Sequence, residues 1–149
     1  MPTEEFTRRV TVAGHEEQVF SHLSRPESYV GLSPLVIAVR EVDTRDDAVR
    51  YVAVERFRLG PLRWDNPIRV TMSFPGPGRR IVSEVVSPGR VRLTSTVALA
   101  PDGPGTQVSE TVRVTFPAPL RGLVVGQATK AQKYRLKELA RRLDTDRVT

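Results

Sequence analysis

A chain of 149 residues can bury a sizeable core in one domain and is too short for two comfortable ones, so residues 1–149 are expected to form a single domain. With no Cys and only two His, His15 and His22, the sequence excludes a disulfide framework, thiolate chemistry and a soft-ligand structural metal site. The net charge of +6 is concentrated: residues 121–149 hold eight Lys and Arg against three acids, leaving fifteen bases and fourteen acids for the rest of the chain.

The opening MPTEEFTRRVTVAGH carries acids where a secretory signal needs bases, and no apolar run anywhere reaches membrane-spanning length, so a soluble cytoplasmic protein is expected. FTRRVTV alternates as a strand and stops at Gly14. HEEQVFSHLS sets Val19, Phe20 and Leu23 on one helical face, with Glu16 and Glu17 in the first turn where the helix dipole favours acids. Pro26 ends that helix and opens a second short one to Tyr29.

Six β-like runs follow, Val36–Asp43, Ala48–Leu59, Trp64–Phe74, Arg79–Val86, Arg90–Ala100 and Thr106–Phe116, separated by short Gly-, Pro- and Asp-rich clusters. Connections so short imply an antiparallel meander. FPGPGRR and APDGPGT lack phosphate-loop spacing and precede no helix, so both read as hairpin turns. DTRDD reads as a solvated turn, and no metal site or cofactor is expected.

Side chains alternate between the two faces of a strand. Tyr51, Ala53, Glu55, Phe57 and Leu59 therefore share a face, as do Trp64, Ile68, Val70, Met72 and Phe74, and Val108, Glu110, Val112, Val114 and Phe116. The sheet so defined has one apolar face that needs a cover. The segment from about Leu120 to Leu143 is the only cover of adequate length. Its second half, LKELARRL, is an amphipathic helix, while its first half offers Gly126, Gln127, Ala128, Ala131 and Tyr134 inward. Tight packing at one end and loose packing at the other would leave a gap above the sheet.

The strand, two short helices, six antiparallel strands and long C-terminal helix resemble the START-like, or SRPBCC, superfamily of polyketide cyclases and coenzyme Q-binding-like proteins. The resemblance spans nearly the whole chain and is carried by VTVAGHEEQVFSHLSRPESYVGLSPLV, FRLGPLRWDNPIRV, GTQVSETVRVTF and the final helix. Leu32 departs from it, standing where members often carry Trp. The resemblance implies an α+β helix-grip fold, about seven strands curved around the C-terminal helix and enclosing an apolar cavity. Its members include carriers of lipids, sterols or quinones and also cyclases and dehydratases of aromatic polyketides, and fold alone does not decide between them.

Glu55 and Glu110 fall on apolar strand faces, where a carboxylate is costly unless paired or hydrogen-bonded. Each is a candidate general acid or base with a raised pKa, or a structural partner for an Arg. Tyr51 and Tyr134 are candidates to present phenols to the cavity, Tyr29 to guard its mouth, and Phe57, Trp64 and Met72 to line it. His15 and His22 lack the partners of a catalytic triad. Lys130, Lys133, Lys137 and Arg141 form a stripe opposite the leucines, a solvated face with the further option of weak contact with anionic surfaces. Without an aromatic stacking platform the stripe argues against nucleic acid, and nothing specifies an oligomeric state. Two functions remain open: binding a hydrophobic or aromatic small molecule, or cyclase/dehydratase catalysis with Glu55 or Glu110 moving protons.

Overall fold

The computed structural model describes residues 2–76, 78–87 and 90–148, with no side-chain description for Leu59, Gly76 and residues 145–148. The elements run β1 (Thr3–Ala13), α1 (Glu16–Leu23), a single-turn helix (Pro26–Tyr29), β2 (Val36–Arg45), β3 (Ala48–Leu59), β4 (Leu62–Gly76), β5 (Arg80–Ser87), β6 (Val91–Asp102), β7 (Gly105–Thr115), a second single turn (Ala118–Leu120) and α2 (Arg121–Val148). The seven strands form one antiparallel sheet in the order β1-β7-β6-β5-β4-β3-β2. This is the helix-grip arrangement, with β1 and β2 as the two edges.

Local chemistry sets the turns. Asp46 and Asp47 both have positive φ, 51° and 60°, the conformation a two-residue hairpin needs and one that Asp tolerates better than most residues. Gly60 and Gly103, each at φ 57°, open the β3–β4 and β6–β7 turns. Edge strand β2 carries two register irregularities, one beside Glu41 at φ 56°, and bulges of this kind discourage edge-to-edge association. The β3–β4 ladder runs through Pro67, opposite Val54, without a register shift. Pro67 therefore makes no bulge in the β3–β4 ladder.

The concave face holds the core. Val12, Leu99, Val108, Ile81 and Met72 gather at one end beneath α1 and the C-terminal half of α2, where Leu136, Leu139 and Leu143 are buried. Phe20 of α1 meets Phe74 edge-on, with centroids 5.6 Å apart. Gly105 is pressed against β1: a Cβ there would come within 2.3 Å of the Val12 carbonyl oxygen. Among the described residues no helix is long and apolar enough to cross a membrane, and no cluster of His, Asp or Glu could hold a metal ion.

α2 is packed unevenly along its length. Its second half buries Gln132, Leu136, Leu139 and Leu143, whereas Val125 and Ala128, the residues on the same side of its first half, are only half-buried. Gly126 and Gln127, expected on that side, are exposed, because about 100° per residue turns them away from the buried stripe. The N-terminal half of the helix is thus less completely buried against the sheet than the second half.

Candidate functional site

Cross-strand pairing fixes which side chains share the concave face. Glu55 lies opposite Asn66 and Phe57 opposite Trp64; Val70, Val85 and Leu93 follow across β4, β5 and β6, and Ser83 lies opposite Ser95. Ser95 in turn faces Val112, and Val97 faces Glu110, so all of these belong to one surface. At the α1 end this surface is buried. Toward the β3–β4 turn it is not: Glu55, Phe57, Asn66, Ser83, Val85, Leu93 and Ser95 are only half-buried although they point to the inside of the curve. The result is an incompletely covered stretch of the concave face, a shallow groove with aromatic, aliphatic and hydroxyl groups on its wall.

At the inner end of the groove Glu110 is 4% exposed and paired with Arg135 of α2, itself 15% exposed. The guanidinium grips both carboxylate oxygens, Nη2 to Oε1 at 2.5 Å and Nε to Oε2 at 3.0 Å, and the Ser95 hydroxyl donates to Oε2 at 3.2 Å. Arg135 Nη1 also donates to Ser33 Oγ at 3.3 Å, and Gln132 Nε2 donates to the Glu110 carbonyl at 2.9 Å. Helix, sheet and the connection before β2 therefore meet at one bidentate ion pair, the geometry in which Arg–carboxylate pairing is strongest. Burial alone would lower the Arg135 pKa, but the charge and hydrogen bonds of Glu110 hold it above the ordinary value.

Two phenols adjoin this pair. Tyr29 donates its hydroxyl to the Leu23 carbonyl at 2.7 Å, and burial first, then neighbouring Tyr51, raises its pKa. Tyr51, 6% exposed, is raised mainly by burial while the Arg135 charge pulls the other way. Both stay neutral and can donate hydrogen bonds. Glu55 is the second carboxylate of the face, between buried Ala53 and half-buried Phe57, and desolvation raises its pKa. The Phe57 and Trp64 rings stack at 5.7 Å and 18°, and Trp64 is 49% exposed.

Glu55, Phe57 and Trp64 are thus brought together, and Tyr51 and Glu110 meet around Arg135. Two expected site residues lie elsewhere. Met72 is fully enclosed in the core. Tyr134 is 45% exposed on the outer side of α2, and the residue that reaches inward is its neighbour Arg135, because one step along a helix turns a side chain by about 100°. Arg135, Ser95 and Ser33 were not anticipated. The signal pointing to Arg135 is Glu110 itself, since a carboxylate on a buried strand face needs a cationic partner. Lys130, Lys133, Lys137 and Arg141 of α2 are exposed, and Arg141 grips Glu138.

A family model described as polyketide cyclase/dehydrase and lipid transport matches residues 3–146. No curated protein matches the chain significantly in sequence. Among solved structures, the Zhui aromatase/cyclase from a Streptomyces species superimposes with a TM-score of 0.80 at 14% identity, covering 96% of this chain and 94% of that one. A START superfamily protein from Mycobacterium smegmatis gives 0.76 at 16% identity, with 95% and 97% coverage. The di-domain aromatase/cyclase StfQ of the steffimycin biosynthetic pathway gives 0.78 at 13% identity; 98% of this chain is covered, but it spans only about half of that protein, 52%. Identities this low speak for the shared fold alone.

Proposed function

The chain belongs to the polyketide cyclase/dehydrase and lipid-transport family, and on that footing we propose that it binds a hydrophobic or aromatic small molecule, of lipid, quinone or polyketide type, between the sheet and α2. One observation carries the proposal: side chains on the inside of the curve from Glu55 to Ser95 are half-open, and the residues that the first half of α2 turns to its buried side, Val125 and Ala128, are small and themselves only half-buried. An apolar wall with a few convergent polar groups is the usual composition of such a site. In this reading the stacked Phe57 and Trp64 rings lie against the ligand at the mouth, and Arg135, Tyr51 and Ser95 offer hydrogen bonds at the inner end. Residues 1–149 act as one binding unit.

Trp64 is the only tryptophan, so it reports on its own site. Titration with menadione or oleate is expected to change its emission saturably, and native mass spectrometry before and after organic extraction to reveal a co-purifying molecule. Phe57→Ala is expected to weaken binding by about tenfold, the equivalent of ~1.4 kcal/mol of lost apolar contact. No saturable change in emission together with no extractable molecule would refute the proposal.

Cyclisation or dehydration of a polyketide-like substrate is the second reading, favoured by Glu55. Both Glu110 oxygens are occupied by Arg135 and Ser95, so the proton-transfer role falls to Glu55, whose raised pKa and half-open position suit a general base. Loss of turnover with retained binding in Glu55→Gln would select this reading over simple carriage.

A further inference from the structure

A second groove lies at the β1 edge of the sheet, between β1 and the flank of α2, where Arg8 and Val10 share the concave face with Glu110 and Val108. Its volume is about 360 Å³, and it is lined by Arg8, Arg9, Val10, Lys133, Leu136, Lys137 and Ala140. The lining contains four cations and no carboxylate. None of the four forms an ion pair among the described residues, although eight other pairs are present. Arg8 faces Glu110 across the β1–β7 ladder, but the Glu110 oxygens are held by Arg135 and Ser95, and the Arg8 Nε is buried without a hydrogen-bond partner. Four like charges around one concavity repel one another and concentrate positive potential inside it, so an anion placed there gains from each of them.

We propose that this groove binds the phosphate or pyrophosphate group of a small molecule. The two arginines supply forked donors suited to phosphate oxygens, and the two lysines supply point charges opposite them. Val10, Leu136 and Ala140 provide an apolar floor for a short carbon segment next to the phosphate. The volume is at the lower end of the ~300–1,000 Å³ typical of small-molecule sites, and the groove is shallow and open, so it suits a small, highly charged group held by its rim of cations. The site lies across the β1–β7 ladder from Glu110, and its proposed ligand is recognised by residues other than Glu55, Phe57 and Trp64.

The experiment is calorimetric titration with sodium pyrophosphate, and with inorganic phosphate in parallel, at low and moderate salt. One saturable site that weakens as salt rises is expected. Lys133→Glu with Lys137→Glu should weaken pyrophosphate binding by at least about tenfold. Arg58→Glu with Arg69→Glu, which reverses the same number of charges on exposed side chains of the convex face, should not. The neutral pair Lys133→Gln and Lys137→Gln repeats the test should the reversed pair fold poorly. Flotation with phosphatidylcholine vesicles, with and without phosphatidic acid, distinguishes the sources of phosphate. Absence of saturable pyrophosphate binding, equal losses in the groove and convex-face variants, or capture by phosphatidic acid vesicles without pyrophosphate binding would each overturn the proposal.

Discussion

The Glu110–Arg135 pair joins three parts of the molecule through side chains that are almost completely buried, and pairs of this kind behave asymmetrically. Removing one partner strands the other as a buried charge. Glu110→Ala is therefore expected to destabilise the protein by about 3–5 kcal/mol, and Glu110→Leu combined with Arg135→Met to recover most of that loss, both read from urea denaturation midpoints. Glu55 behaves differently because its shift comes from desolvation. Its folded pKa lies above the unfolded one, so the folded state holds the proton more tightly. The stability it contributes is fully present below the unfolded value and is lost as pH rises through the folded value. Glu55→Gln, neutral throughout, should gain stability relative to the unmodified protein as pH is raised from about 4 to about 7, measured as the difference in urea midpoints. Matching pH profiles for the two proteins would remove the desolvated carboxylate from the account.

At the scale of elements, α2 is two helices in one. Its second half is fixed by Leu136, Leu139 and Leu143, all at most 6% exposed, while Leu123 near its start is 62% exposed. Leu139→Ala is expected to cost about 2–5 kcal/mol, because it leaves a void among buried neighbours. Leu123→Ala should change stability by no more than about 0.5 kcal/mol, and thermal or urea unfolding of the two variants checks the contrast. The same division decided what could be read in advance. LKELARRL has an apolar period, so its buried face was legible; the segment before it has none, and the inward residue was placed one position early, at Tyr134 in place of Arg135. Strand faces were easier, since a period of two leaves only two choices, and Glu55 and Glu110 came out on the concave side for that reason. The partner of Glu110 was not legible, because it depends on how α2 is rotated over the sheet, and that is set by contacts distant in sequence.

For the whole molecule, the order of elements was readable because every β connection is a short turn with its own residue chemistry, and a meander of such turns admits few topologies. The groove is a property of curvature and of incomplete cover, and its half-exposed wall could be foreseen only as a gap above the sheet. Arg142, near the C-terminal end of α2, donates to the carbonyls of Ser28 at 2.6 Å and Val30 at 3.0 Å and lies 3.2 Å from His22. With Arg135 reaching Ser33 one helical stretch earlier, the second half of α2 is fastened to the segment that leads into β2. The start of α2 is held by fewer contacts, the pair of Arg121 with Glu4 of β1 and the Arg121 guanidinium over the Phe116 ring, so the stretch between those two anchorages is the one with room to flex. Amide hydrogen exchange should accordingly show residues 122–130 exchanging well before residues 132–143, with a bound ligand slowing the first group most. Uniform protection along α2 would mean that the helix moves as one piece and that entry to the groove is controlled from the β3–β4 turn instead.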